Sequence, residues 1–222
     1  FLDEDFLARM VRDLEAAAGK PVTDPDTTIK TIATRLRYSD ETAKNILAHF
    51  ITGAGSGIGE ALATRLTERG DDLVLLARNE ERARTLRERF AGATTVVADL
   101  AEPEQLAEAL RTQRLPDRLD SLIHVAGVVD LGRVESLPAS SWIEQLHINL
   151  VAPAELTRLT LPALRRAKGQ VVFVNSGAGL RTAPEWAAYA ASKHGLKALA
   201  DGLRAEEAEH GIRVSTIYPG RT

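Results

Sequence analysis

The 222-residue sequence predicts an α/β fold: a doubly wound parallel sheet with a short helical N-terminal appendage. Three observations predict it. From about residue 50 onward, short apolar runs alternate with amphipathic helical stretches. The runs are continuous rather than alternating, which suits strands covered on both faces. A glycine-rich turn also sits between the first run and the first helix, and strand–helix alternation of this kind builds an open parallel sheet with right-handed crossovers.

Strands are expected at Phe50–Thr52, Leu73–Ala77, Thr95–Ala98, Leu119–Val125, Val171–Asn175 and Val214–Ile217. Between them, Ile58, Leu62 and Leu66 share one helical face, as do Ala83, Leu86 and Phe90. Two domains are drawn, a helical segment 1–49 and a dinucleotide-binding domain 50–222. In the first, Leu7, Val11 and Leu14 form a stripe that Gly19-Lys20-Pro21 stops. Helices are expected over Thr28–Leu36 and Thr42–Phe50, the latter with Asp40 as N-cap. These two helices read as an appendage, with a helix-turn-helix module as the alternative. The first strand is unusual because a His interrupts Ile46-Leu47-Ala48-His49-Phe50-Ile51. Either the strand is only Ala48–Thr52, or a foreign segment has been joined to the sheet domain; the second is the reading preferred from sequence.

Composition excludes several function classes. A net charge of -3 gives no basic field for nucleic acid or an anionic membrane. The chain has no Cys, which removes disulfides, thiolate metal sites and a Cys nucleophile. No apolar run approaches the roughly 18 residues of a membrane span. The expectation is a cytoplasmic protein without a metal, a nucleic-acid partner or a membrane partner.

The chemistry lies in two motifs. Thr52-Gly-Ala-Gly-Ser-Gly-Ile-Gly59 stands between a strand and a helix. Gly53 permits a tight turn, Gly57 lets backbone approach a pyrophosphate, and Gly59 lets helix and strand pack closely. The helix start beyond Ser56 and Ile58 adds free N–H groups and a positive dipole for phosphate. At the end of the second strand a carboxylate would favour NAD(H). Ala77 and Arg78 stand there instead, and a guanidinium pairs with a 2′-phosphate, so NADP(H) is expected over NAD(H). The alternative is that Arg78 is merely the first exposed residue after a strand.

The second motif is Tyr189-Ala-Ala-Ser-Lys193, which sets a phenol and an ammonium on one helical face. A nearby cation favours phenolate and moves Tyr towards a useful acid–base range. Ser176, thirteen positions before Tyr189, follows a strand and offers a hydroxyl for a carbonyl oxygen.

With these motifs in this order, the sequence from about Ile51 to Thr222 resembles the short-chain dehydrogenase/reductase family, in its single-domain branch, whose fold is the Rossmann fold. The resemblance implies that Asp99 contacts adenine beside Leu100. It further implies that Ala126 and Gly127 approach the ribose and that Pro219-Gly220 faces the nicotinamide. Asn149 would order a proton-relay water, and Ser176, Tyr189 and Lys193 would complete a catalytic tetrad. Tyr189 and Lys193 are also expected at the cofactor. The implied reaction is hydride transfer between NADP(H) and a carbonyl or secondary alcohol, in a homodimer or homotetramer. Leu150, Leu156, Leu159 and Leu164, with Leu196, Leu199 and Leu203, are expected to supply surface for pairing.

Three departures qualify the match. His124-Val125 replaces two Asn residues, with His124 expected to be structural. The first strand is degraded, and the family's substrate loop and last strand would lie beyond Thr222. On that account the site is expected to be open to water, and a non-catalytic NADP-binding fragment is the rival reading. A helical interaction module at 1–49 is the other.

Overall fold

A computed structural model of the chain describes residues 46–113 and 115–219. The expected helices before residue 46 lie outside the described residues.

Six strands form one parallel sheet in the order β3-β2-β1-β4-β5-β6. They are β1 Ala48–Thr52, β2 Asp72–Ala77, β3 Thr94–Val97, β4 Ser121–His124, β5 Gln170–Val174 and β6 Arg213–Ile217. Helices α1 Gly57–Arg69, α2 Glu80–Arg89 and α3 Pro103–Thr112 follow β1, β2 and β3. After β4 come α4 Ala139–Leu146, a π-helical turn His147–Val151 and α5 Ala152–Ala167; α6 Ala187–Glu206 leads to β6.

The unalternating apolar runs have a direct explanation in the two covered faces. In β1, Phe50 joins a core with Val74, Leu122, Phe173, Leu156 and Leu196, while the adjacent Ile51 joins another with Leu62, Leu75, Ile123 and Val172. Successive side chains point to opposite sides of a strand, so both neighbours must be apolar when helices cover both faces. Local signals set the helix ends. Asn79 caps α2 by accepting the Arg82 N–H at 3.0 Å, and Gly70 ends α1 with φ 83°, a left-handed conformation suited to glycine.

The first strand runs over Ala48–Thr52 and lies inside the sheet between β2 and β4. His49 does not interrupt it. Its imidazole is buried, with Nδ1 2.6 Å from the Ser121 hydroxyl and Nε2 3.1 Å from the Asp71 carboxylate. Asp71 also accepts the Leu47 N–H at 3.1 Å, and Asp120 accepts the Ala48 N–H at 2.9 Å. The polar residue is thus satisfied by the starts of both neighbouring strands, as burial requires.

The pairing surface expected from leucines is smaller than the pattern implied. Leu156, Leu164, Leu196 and Leu203 are buried in the core of this one chain. They pack against the sheet because α5 and α6 cover one of its faces. Among the described residues β6 pairs only with β5, so its outer edge is open.

Candidate active site

The carboxyl ends of the parallel strands surround a cleft of about 760 Å³. In open α/β sheets ligands bind there, where the strand order reverses direction between β1 and β4. Gly53, Ser56, Gly57 and Ile58 line it from the β1–α1 turn, and Arg78 from the end of β2. Asp99 and Leu100 line it after β3, Ala126 and Gly127 after β4, and Ser176, Tyr189, Lys193 and Pro219 from the opposite side. Gly220 lies outside the described residues.

The glycines divide their work. A Cβ on Gly53, whose φ is 73°, would stand 2.7 Å from the Ala126 nitrogen, and one on Gly59 would stand 2.1 Å from the Gly53 carbonyl oxygen. Those two positions let the loop, α1 and the β4 turn close on one another; Gly59 does this from beneath and does not line the cleft. At Gly55 and Gly57 the same test meets nothing within 4 Å, so backbone there faces open space. A loop with two open glycines at a helix N-terminus fits the pyrophosphate of a dinucleotide. The Thr52 hydroxyl accepts the N–H groups of Val125 and Ala126, both at 3.1 Å, and so braces the β4 turn where Val125 has no polar side chain.

At the far end of β2, Arg78 and Arg82 both line the cleft, and neither forms an ion pair among the described residues. Arg82, one helical turn beyond Arg78, was missed from sequence because basic residues on a surface helix are common. Asp99 accepts the Ala101 N–H at 2.9 Å, which shapes the turn leaving β3.

Ser176, Tyr189 and Lys193 converge although β5 and α6 deliver them separately. The Ser176 Oγ accepts the Ala178 N–H at 3.2 Å, and the preceding Asn175 holds the segment. Asn175 accepts the Ser176 N–H at 2.8 Å and donates to the Lys193 carbonyl at 3.0 Å, tying the Ser segment to the Lys-bearing helix. This role had no motif to announce it. Burial raises the Tyr189 phenol above its ordinary value, and a hydrogen bond with the Ser176 side chain acts in the opposite direction. The Lys193 Nζ lies 5.8 Å from the Tyr189 ring centre, and burial lowers its ammonium from 10.5 to about 8.

Asn149 lies one layer behind. Its side chain accepts the Val128 N–H at 2.9 Å, donates to the Val128 carbonyl at 2.8 Å and donates to Ser192 Oγ at 3.0 Å. It sits in the π-helical turn, a distortion that favours functional sites. A Cβ on Gly127 would stand 3.1 Å from Asn149 Oδ1 and 3.4 Å from Lys193 Nζ, so the β4 turn packs closely against both side chains. Ser192, fully buried, passes the contact on by donating to the Tyr189 carbonyl at 2.7 Å. His124 faces away into the core. It stacks on Phe173 with centroids 4.9 Å apart and lies 3.0 Å from the Thr157 hydroxyl, and burial lowers it to about 3.

Known proteins agree with this architecture. The chain is 36% identical over 182 residues to dehydrogenase/reductase SDR family member 7B of Bos taurus, covering 77% of this chain and 56% of that protein. It is 30% identical over 172 residues to L-fucose dehydrogenase of Oryctolagus cuniculus, covering 77% and 61%. The chain therefore spans about half to three-fifths of the length of these curated relatives. A metagenomic short-chain oxidoreductase solved in complex with NADP superposes with a TM-score of 0.72 at 32% identity, covering 79% of this chain and 83% of that one. A short-chain dehydrogenase from Streptomyces avermitilis gives a TM-score of 0.71 at 28% identity, covering 79% and 65%. Residues 48–222 match the family model described as short chain dehydrogenase, and the chain belongs to that family of oxidoreductases.

Proposed function

We propose that the chain interconverts a carbonyl and a secondary alcohol with NADP(H) as the hydride partner. The observation that carries this reading is convergence: Ser176, Tyr189 and Lys193 line the same cleft as the open glycine loop. When bound, the nicotinamide supplies or accepts the hydride. The chain's own residues do the rest. Ser176 holds the substrate oxygen through its hydroxyl, and the Tyr189 phenol gives that oxygen a proton as the carbonyl carbon is reduced. In the reverse direction Tyr189 recovers the proton. Lys193, over the face of the phenol, favours its ionised form when charged and serves as a hydrogen-bond donor for ribose hydroxyls. Asn149 holds the Val128 turn and the Tyr189 helix at their mutual distance, and so supports the proton relay that the family resemblance implies.

NADP(H) is favoured because Arg78 and Arg82 border the cleft and Ala77, not a carboxylate, ends β2. The metagenomic short-chain oxidoreductase was solved with NADP, which supports this preference. Asp99, Leu100, Ala126, Gly127 and Pro219 are assigned to the adenine, ribose and nicotinamide walls, with Gly220 continuing the last. A cytoplasmic homodimer or homotetramer accords with the family. Among the described residues no helix is long and apolar enough to cross a membrane. The surface left for pairing includes Leu150, Leu159, Leu199 and the more exposed Val151.

The test is Tyr189→Phe, assayed by NADPH oxidation with a panel of aromatic aldehydes and diketones. Turnover should fall at least ~100-fold, the usual span of acid–base catalysis, while NADPH affinity stays within a few-fold. Retention of most of the turnover would remove Tyr189 as the acid.

A further inference from the structure

Tyr189 does the proton transfer in the reading above, and on that reading its ring must be held in one orientation. The hydrogen bond with Ser176 acts at the phenol's oxygen and leaves the ring free to swing about it. Packing has to do the rest, and one side chain stands out. Trp186, three residues earlier and 7% exposed, meets the Tyr189 ring edge-on, with centroids 5.7 Å apart and planes at 69°. This is a favoured arrangement for two aromatic rings, because the positive edge of one meets the negative face of the other.

The same indole reaches the other half of the site. Trp186 forms a small apolar cluster with Ala178, two residues beyond Ser176, and Ala190, next to Tyr189, separate from the two cores on the sheet faces. One rigid side chain therefore lies between the segment that bears the hydroxyl and the helix that bears the phenol. Its backbone is also pinned. The Trp186 N–H donates to the Ala183 carbonyl at 3.1 Å, and its carbonyl accepts the Ala190 N–H at 2.7 Å. Just before it, Glu185 has φ 72°, a conformation few side chains adopt, and its carbonyl accepts the Gly132 N–H at 2.9 Å. A sparsely populated backbone conformation beside a reactive site persists only when the surroundings enforce it. Here it immediately precedes the indole that meets the phenol ring, and its carbonyl ties that segment to the loop after β4.

We infer that Trp186 is a positioning residue: it orients the Tyr189 ring and sets its distance from the Ser176 segment. The inference rests on Tyr189 as the proton donor, and the experiment separates the two. In the full chain, Trp186→Ala, Trp186→Leu, Trp186→Phe and Tyr189→Phe are compared with the parent. The first measurement, made without cofactor, is the tyrosinate absorbance difference that Tyr189→Phe removes. Trp186→Ala should let water reach the ring and ease Tyr189 back towards the ordinary value, with at least a threefold change in proton affinity; Trp186→Phe should leave it near the parent. The second measurement is NADPH-dependent reduction of 4-nitrobenzaldehyde. Trp186→Ala should lower kcat by about 10- to 100-fold, the cost of a misplacement of about 1 Å. KM should stay nearly constant and the pH–rate profile should move, with Trp186→Phe restoring both.

An unchanged Tyr189 titration in Trp186→Ala overturns the inference, as does a shifted titration with parental kcat. Should the alanine variant fail to fold, Trp186→Leu keeps an apolar side chain there without the aromatic edge. Parental titration and turnover in that variant overturn the inference as well. If the aldehyde is not turned over by the parent, the titration decides. Turnover surviving in Tyr189→Phe would instead strike at the proton donor, a separate result.

Discussion

Lys193 should make the protein less stable than it need be. Its side chain is 4% exposed, and burial alone lowers the ammonium from 10.5 to about 8. Among the described residues Nζ makes one long hydrogen bond, to the Val174 carbonyl at 3.5 Å. At about 1.4 kcal/mol for each tenfold change in proton affinity, this burial costs about 3 kcal/mol at neutral pH. That is a large share of the ~5–15 kcal/mol by which domains are stable. Lys193→Met keeps the stem and removes the charge, so the variant should be more stable than the parent by up to about 3 kcal/mol at pH 7. The sign follows from proton counting. Between about 8 and 10.5 the unfolded chain still carries the proton while the folded chain has lost it, so parental stability rises with pH across this window. The advantage of the variant should therefore be constant below about pH 7, shrink steadily above pH 8 and vanish only beyond about pH 10.5. Urea unfolding of both proteins without cofactor, from pH 6.5 to 10, measures it. NADPH affinity and turnover should fall in the same variant, the usual exchange of stability for function. A variant less stable than the parent at pH 7, or an advantage that does not shrink above pH 8, would refute the reasoning.

Three further outcomes are expected. Ala77→Asp combined with Arg78→Ala should turn the preference from NADPH to NADH, read by fluorescence titration of both; equal affinities in the parent would count against Arg78 as the 2′-phosphate ligand. Gly59→Ala places a methyl 2.1 Å from the Gly53 oxygen, an overpacking worth about 1–3 kcal/mol. It should weaken NADPH binding at least tenfold, and parental affinity would show that the loop gives way freely. His124 is held neutral in the fold, at about 3 against an ordinary 6.5, so its share of stability is present above pH 6.5 and lost as pH falls towards 3. His124→Phe should accordingly gain on the parent by about 1.4 kcal/mol for each pH unit below about 6, and parallel stability curves from pH 7 to 4 would contradict this.

Much of this molecule was legible in its residues one segment at a time. Strand positions followed from runs such as Leu73–Ala77, because helices on both faces leave no position for a polar side chain. The glycine turn between β1 and α1 followed from Gly53, Gly57 and Gly59, and the phenol–ammonium pair from a spacing of one helical turn. These are local signals: backbone conformation, face and spacing are settled within a few residues. What the tertiary structure alone decided depends on partners far away in the chain. His49 looked like damage to a strand until Ser121 and Asp71, delivered by β4 and β2, were beside it. The leucines of α5 and α6 looked like spare surface, because a helical stripe shows that a face is apolar and not what covers it; the sheet covers most of them. Asn175 and Trp186 carry no motif and Ser192 stood unassigned inside one, and each gained its meaning from contacts with a neighbouring segment. Sequence spacing determines which side chains share a face of one element. Which elements meet is determined by the order β3-β2-β1-β4-β5-β6, which brings residues some 20 to 70 positions apart within hydrogen-bond reach.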